Sequence, residues 1–481
     1  MAAKKSQSRT SAVRRAKKPR TAAEPTTPTT SGSPARLVGF PVFGQPSPTP
    51  DPATFLVKHP SDNPLYNEIT KLNAGHKLKP VPFPDSRGFP EVLEPTLTLQ
   101  TALGDNTSPA QTQFARNVIA AIQRSGQIVF HAGGDCGSVK SPRTQELVVD
   151  KMLGDFNEAA PSQAPSFHYL LGDIVYSFGE TKYYYDQFYE PYRDYPAPIF
   201  AVAGNHDGML APDTHEASLS AFLRNFCSDS FVALPEAGGL SRTAQVQPGV
   251  FFTLEAPFVR IVGLYSNNLE DPGYISDPGI GDSQLRFLEA ALIRVSKEKY
   301  RGALIFATHH PTYAGGGQHA GSPGMQAQID AICERTGVWP HAVLAGHAHS
   351  QQRFTRIRKD GTQIPYVICG NTGHNVQRLR RSGPPTRVPQ VLQAATSTSD
   401  EVVFESYDDQ NYGYLRIIAS AAQLRIEYHP ASDGRGAKTP DDAVTVDLAS
   451  RTIVHYQAPN LGFPAAAKAA RAKRGKRVPP S

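Results

Sequence analysis

Ala342-Val343-Leu344-Ala345-Gly346-His347-Ala348-His349 is an apolar run closed by a glycine and two histidines one residue apart. Four apolar residues bounded in this way read as a buried strand, and the glycine lets the chain turn sharply at its end. Two imidazoles so close together can each hold a different metal ion. Alone, the pair is a weak signal. It gains weight from four earlier clusters that close apolar runs in the same manner. Gly134-Asp135-Cys136-Gly137 follows Gln127–Ala132, and Gly172-Asp173-Ile174-Val175-Tyr176 follows Phe167–Leu171. Gly204-Asn205-His206-Asp207 follows Ile199–Ala203, and Thr308-His309-His310-Pro311 follows Ala303–Ala307. Carboxylate, phenolate, amide oxygen and imidazole are donors that divalent and trivalent ions take. Open α/β sheets gather their ligands just past the C-terminal ends of strands.

Around these clusters, apolar runs alternate with helical patterns. Ser108-Pro109 opens a helix with Phe114, Val118, Ile119 and Ile122 on one face, since serine caps and proline suits the first turn. Thr144–Asn157 and Pro323–Thr336 read as further helices. Asp282 is placed as the N-cap of a helix that presents Leu285, Leu288, Leu292 and Val295, again by its spacing. Strands are expected near Val250–Leu254 and Val259–Leu264, then at Ile364–Ile368, Tyr414–Ile418 and Leu424–Tyr428. This order describes an α/β fold with a β-rich C-terminal part, one large sandwich rather than separate domains. The tyrosines between Tyr183 and Tyr195 read as packing.

The charge is unevenly spread. Residues 1–36 carry a balance of +8 and residues 465–481 a balance of +6, so the body between them is acidic although the whole chain is +6. Both ends are poor in large apolar residues and read as disordered basic tails. Such tails either solubilise the chain or touch polyanions nonspecifically. No apolar run reaches the length of a membrane span, and the N-terminus has no apolar core of a signal peptide. That reading places the protein in the cytoplasm, with an unconventional export route as the alternative. Cys136, Cys227, Cys333 and Cys369 are scattered and read as thiols in a reducing compartment; Cys136, beside Asp135, reads as a small packed residue.

The series GD-x-G, GD-x-x-Y, GNHD, H-x-P and GH-x-H resembles the calcineurin-like metallophosphoesterase superfamily, and within it the purple acid phosphatases. The wider superfamily has Asp-x-His as its first motif, where this chain has Gly137, and closes its second with Asp, where this chain has Tyr176. A phenolate is a hard anionic donor and favours a ferric ion. The resemblance covers about residues 127–430, including Gly370-Asn371-Thr372-Gly373. It implies a metallophosphoesterase-type β-sandwich flanked by helices over residues 126–460; composition sets a disordered basic tail at 1–50, an extension of unassigned role at 51–125 and a disordered basic tail at 461–481 outside it.

Carried over by residue, the resemblance implies one metal held by Asp135, Asp173, Tyr176 and His349, and another by Asp173, Asn205, His309 and His347. Asp173 is the bridge. Iron is implied at the Tyr176 site, and iron, manganese or zinc at the second. His206 matches the family's phosphate-contacting histidine and is a candidate acid or transition-state stabiliser. His319, ten residues past His309, is a candidate substrate contact; His310 is read as support rather than ligand. The implied activity is hydrolysis of phosphate monoesters by a metal-bridged hydroxide, on a phosphorylated small molecule or phosphoprotein. A phosphodiesterase or nucleotidase on the same scaffold is the nearest alternative, and a metal-binding protein without catalysis a further one. A nucleic-acid-binding protein acting through the basic tails belongs to another class.

Overall fold

Two mixed β-sheets packed face to face carry the apolar runs, and helices bury their apolar faces around them. The computed structural model describes residues 92–138, 142–158, 163–211, 214–266, 272–276, 281–315, 319–379, 390–392, 400–432 and 440–457. Both basic tails, and the extension up to residue 91, lie outside the described residues. The first sheet has nine strands in the spatial order β1 (Thr96–Thr98), β5 (Phe252–Ala256), β6 (Val259–Gly263), β7 (Ala303–Ala307), β8 (Ala342–Ala345), β10 (Gln363–Cys369), β9 (Gln351–Ile357), β12 (Glu401–Asp408) and β11 (Gln390–Leu392). The second has seven, in the order β16 (Thr452–Ile453), β15 (Asp442–Asp447), β14 (Gln423–Pro430), β13 (Gly413–Ser420), β2 (Gln127–Gly133), β3 (His168–Leu171) and β4 (Ile199–Val202).

In each sheet a block of neighbouring strands runs parallel, at one edge of the seven-stranded sheet and in the middle of the nine-stranded one. β2, β3 and β4 do so in one, and β6, β7, β8 and β10 in the other. The five donor clusters begin at the C-terminal ends of β2, β3, β4, β7 and β8. Between the sheets lies one apolar core, to which Phe130, Phe200, Leu415 and Ile417 come from one side and Ile261, Ile305, Leu344 and Val367 from the other. Each such side chain stabilises by about 1.5–3 kcal/mol when taken fully out of water.

The helix Pro109–Ser125 starts where expected. Ser108 Oγ accepts from Gln111 N at 3.1 Å, and Gly126 ends the helix with φ +73°. Its Ala115, Val118 and Ile122 join the same core, as does Leu97 of β1, so residues 96–125 pack with the sandwich.

The helix Ser283–Lys297 differs from expectation in its buried face. Gln284, Phe287, Leu288, Ala291 and Leu292 are buried, while Leu285 and Val295 are only half-buried. Phe287 is the largest apolar group on this helix, and it draws the face toward itself at i, i+1, i+4 and i+5. Asp282 makes no side-chain cap bond and pairs with Arg286 at 3.2 Å instead.

Behind β2 and β3 sit two buried histidines with opposite fates. His131 is satisfied: Nδ1 meets Tyr195 Oη at 2.9 Å, and Nε2 meets Asp155 Oδ2 at 3.0 Å. Neither ring nitrogen of His168 has a hydrogen-bond partner, although its ring packs 5.5 Å from that of Tyr192. Burial, reinforced by His131 and Arg242, pushes His168 well below the usual histidine range. It is therefore neutral in the folded chain. The unfolded chain takes up a proton below about pH 6.5, so this residue costs stability as pH falls through that value. His168→Leu should remove the penalty. Between pH 7 and pH 5 the variant should lose less stability than the wild type, by about 2 kcal/mol. Denaturant titrations at the two pH values measure the difference, and equal losses would contradict it.

Candidate metal centre

Each of the five loops leaves a parallel strand and turns back at once, which brings its polar side chains to one rim. Three of the site residues hold left-handed backbone to do so: Asp135 at φ +57°, Asp173 at +52° and His347 at +67°. Non-glycine residues adopt this conformation only where the surroundings enforce it. The glycines give the loops room. A β-carbon on Gly204 would lie 2.1 Å from Asp173 Oδ1, and one on Gly172, itself at φ +89°, would lie 2.4 Å from His309 Nδ1.

Asp135, Asp173 and Tyr176 meet at one point. The Tyr176 hydroxyl is 2.8 Å from Asp135 Oδ1, 2.7 Å from Asp173 Oδ2 and 3.3 Å from His349 Nε2. His349 Nε2 is also 3.3 Å from Asp135 Oδ1. The phenol has one proton and can donate to only one of these neighbours. Burial, and then the two carboxylates, raise the phenol's pKa, so it ionises there only if positive charge is added. A cation among these oxygens fits that requirement.

A second group lies beside the first. His309 Nε2 is 2.9 Å from Asn205 Oδ1, His347 Nδ1 is 3.2 Å from the same oxygen, and the two ring nitrogens are 3.2 Å apart. His309 Nδ1 donates to Leu171 O at 2.8 Å, which fixes the tautomer and leaves Nε2 as the ligating nitrogen of the neutral ring. Asp173 Oδ2 reaches His309 Nε2 at 3.4 Å, so Asp173 touches both groups. Burial opposes its charge, but the imidazoles of His309 and His206 outweigh that and hold the carboxyl far below its usual range. Burial likewise disfavours charge on His309, yet the Asp173 carboxylate lifts it to about 9. Asp135, Asp173 and His309 bring ligand atoms within 4.8 Å of one another. The two sets of donors suit a pair of metal ions, with the Asp173 carboxylate shared.

All seven residues expected to ligate are thus brought together, as are the two histidines expected at substrate. His206 donates its backbone N–H to Asp173 Oδ1 at 2.9 Å, and its Nδ1–H to Ser177 O at 2.8 Å. His319 is half-buried, its ring 4.2 Å from that of His347 and 5.2 Å from that of His349. Burial, with His349 and His206 adding to it, lowers its pKa to about 3. His310 bonds Ser266 through its backbone N–H and Nδ1, at 3.0 and 3.1 Å. Cys136 is buried and faces Ile174 O; burial first raises its thiol far above the usual range.

Three further residues shape the site. Asp207 accepts from Gly204 N at 2.8 Å and Ile174 N at 3.0 Å, tying two of the loops together. Burial, and then the charge of Asp173, push its carboxyl up to about 7. His374 stacks on the Tyr176 ring with centroids 3.5 Å apart, and Asn375 Oδ1 lies 2.5 Å from His349 Nδ1. The motifs that carry the family resemblance end at Gly373, one residue short of this pair. The available signal was the one used elsewhere, a glycine turn and a histidine past the end of a parallel strand.

Residues 134–351 match the family model of the calcineurin-like phosphoesterases. Among solved structures, a purple acid phosphatase from yellow lupin (Lupinus luteus) seeds is 17% identical, with 67% of this chain and 54% of the lupin chain covered at a TM-score of 0.44. This chain therefore spans about half the length of that enzyme. The anchor of the inner membrane complex of Plasmodium is 12% identical, with coverages of 67% and 89% and a TM-score of 0.45. A dimetal phosphatase from Danio rerio is 12% identical, with coverages of 67% and 99% and a TM-score of 0.39. Comparison with curated protein sequences returns no match. No helix among the described residues is long and apolar enough to cross a membrane.

Gly204→Ala tests the packing of the site directly. The added methyl displaces Asp173, so zinc affinity measured by chelator competition should fall at least tenfold, the scale seen when the support of a metal ligand is removed. Unchanged affinity would show that Asp173 takes no part in binding.

Proposed function

We propose that this chain, whose residues 134–351 match the calcineurin-like phosphoesterase family model, hydrolyses phosphate monoesters at a two-metal centre of the purple acid phosphatase type. The observation that carries the reading is the Tyr176 hydroxyl set between the carboxylates of Asp135 and Asp173, at 2.8 and 2.7 Å. A phenol, two carboxylates and an imidazole make a hard, anionic donor set, which favours a ferric ion over softer ones. Asn205, His309 and His347, sharing Asp173, would hold the second ion, for which iron, manganese and zinc are all suited.

Position 137 supports the same subgroup. A β-carbon there would lie 2.6 Å from Gln187 Oε1 and 2.7 Å from Ile174 O. No histidine fits where the wider family has one, and the phenol takes up the role of donor from the other side.

When bound, the ions supply positive charge to the phosphoryl oxygens and activate water for in-line attack. The chain's own residues do the rest. His206 has its Nδ1–H fixed on Ser177 O, so Nε2 is the nitrogen left for the substrate; only the imidazolium, with a second proton on Nε2, donates to a phosphoryl oxygen and passes that proton to the departing group. Its backbone N–H holds Asp173 Oδ1, so the same residue orients the bridging carboxylate. His319, beside His347 and His349, lines the substrate side of the rim. The substrate would be a phosphorylated small molecule or a phosphoprotein. Three buried and one half-buried free cysteine accord with a reducing compartment such as the cytoplasm.

The test compares an aryl phosphate monoester with the matching diester, using metal-replete protein. The monoester should be favoured by at least tenfold in kcat/KM. Reversed preference would make the protein a phosphodiesterase, and hydrolysis of neither would sink the reading. Asp173→Asn should abolish both metal retention and turnover; full activity in that variant would remove Asp173 from its bridging place.

A further inference from the structure

We infer that His374 and Asn375 are positioning residues of the tyrosine-side metal site, delivered by the loop that follows β10. The inference rests on the reading of Tyr176 and His349 as metal ligands and goes beyond it to what holds them. β10 runs parallel to β8, so its C-terminal end reaches the same rim as the five clusters.

The loop grips both sides of that site. Thr372 N donates to Gly134 O at 3.3 Å, His374 N to Asp135 O at 2.9 Å, and His374 Nδ1–H to Gly137 O at 3.2 Å. On the other side, Gln377 N donates to His349 O at 2.8 Å. The segment thus spans the loop bearing Asp135 and the loop bearing His349, two turns from different sheets.

Its side chains reach the ligands themselves. The His374 ring lies 3.5 Å from that of Tyr176 at an interplanar angle of 13°. Stacked rings at this separation hold each other's orientation and keep water off one face. Held this way, the phenol can turn only slightly away from the carboxylates it meets. Asn375 Oδ1 accepts from His349 Nδ1–H at 2.5 Å. That bond places the lone pair of His349 on Nε2, the nitrogen beside Tyr176 and Asp135. Partners that fix a ligand's tautomer and angle are worth about 10–100-fold in metal affinity. An imidazole therefore reaches this site from position 374, next to the carbonyl of Gly137, where no side chain fits.

Two readouts other than turnover test this. Zinc affinity by chelator competition is measured for His374→Ala, His374→Phe, Asn375→Leu and Asn375→Asp, each checked for an unchanged melting temperature. The visible band of phenolate bound to ferric ion is recorded for the same proteins after loading with ferric iron. His374→Ala and Asn375→Leu should each weaken one of two zinc equivalents by about tenfold or more and shift the band, while the other equivalent is unaffected. His374→Phe, which keeps the stacked ring, and Asn375→Asp, which keeps the acceptor, should restore most of both. Wild-type zinc affinity in His374→Ala and Asn375→Leu would overturn the inference, and so would His374→Phe behaving like His374→Ala. Absence of the band in the wild type would instead overturn the phenolate reading of Tyr176, with the zinc comparison still deciding the role of the loop.

Discussion

Two carboxylates, Asp135 and Asp173, lie buried within reach of a single phenol oxygen, and the architecture of the rim follows from keeping them there. Charges taken out of water are costly unless hydrogen-bonded or paired. The chain meets that demand from several elements at once. His347 N–H serves Asp135 Oδ2 at 2.7 Å, and His206 N–H serves Asp173 Oδ1. Main-chain donors of this kind can be aimed only by a backbone that turns sharply, which is why His347 accepts a left-handed conformation. Asp207 has the opposite role: burial and the nearby charge of Asp173 drive its carboxyl toward neutrality, against the backbone N–H groups of Gly204 and Ile174 that favour its charge.

The sandwich contributes direction as well as stability. Parallel strands release their chains on the same side, so five loops and a sixth after β10 converge without long connections. The apolar core beneath them is continuous across the sheets. A loop that shifted by an ångström would have to drag a packed strand with it. The buried guanidinium of Arg356 shows the same principle away from the rim. It is held by Asp330 through two bonds of 2.8 Å, and by Asp400 through a third.

Arg356 also shows why part of the fold was hard to read. The strands at Ala303–Ala307 and Ala342–Ala345 announce themselves because both faces are buried and every residue is apolar. β9 reads Gln351-Gln352-Arg353-Phe354-Thr355-Arg356-Ile357, and its two arginines bond carboxylates that lie far away in sequence, Arg353 with Asp442 and Arg356 with Asp330 and Asp400. β1 has three residues, too few to show a period. The glycine clusters were legible because donor type and strand context coincide within a few positions. His374 has the same local mark, a histidine just past a glycine turn, but what it and Asn375 do depends on what they touch. Tyr176 lies nearly two hundred residues before them, and no local pattern marks a ring that stacks on another.

The contacts at the rim join very distant parts of the chain. The bond between His347 N and Asp135 spans 212 residues, and the contact between Tyr176 and His349 spans 173. Neither contact exists until both sheets have formed and come together. An ion that binds only the assembled arrangement stabilises it in proportion to its free concentration. On the proposed function, metal supply would act on how much of this protein is complete as well as on how fast it works. A chain interrupted before the second sheet closes would have carboxylates and imidazoles in abundance and no place to keep an ion.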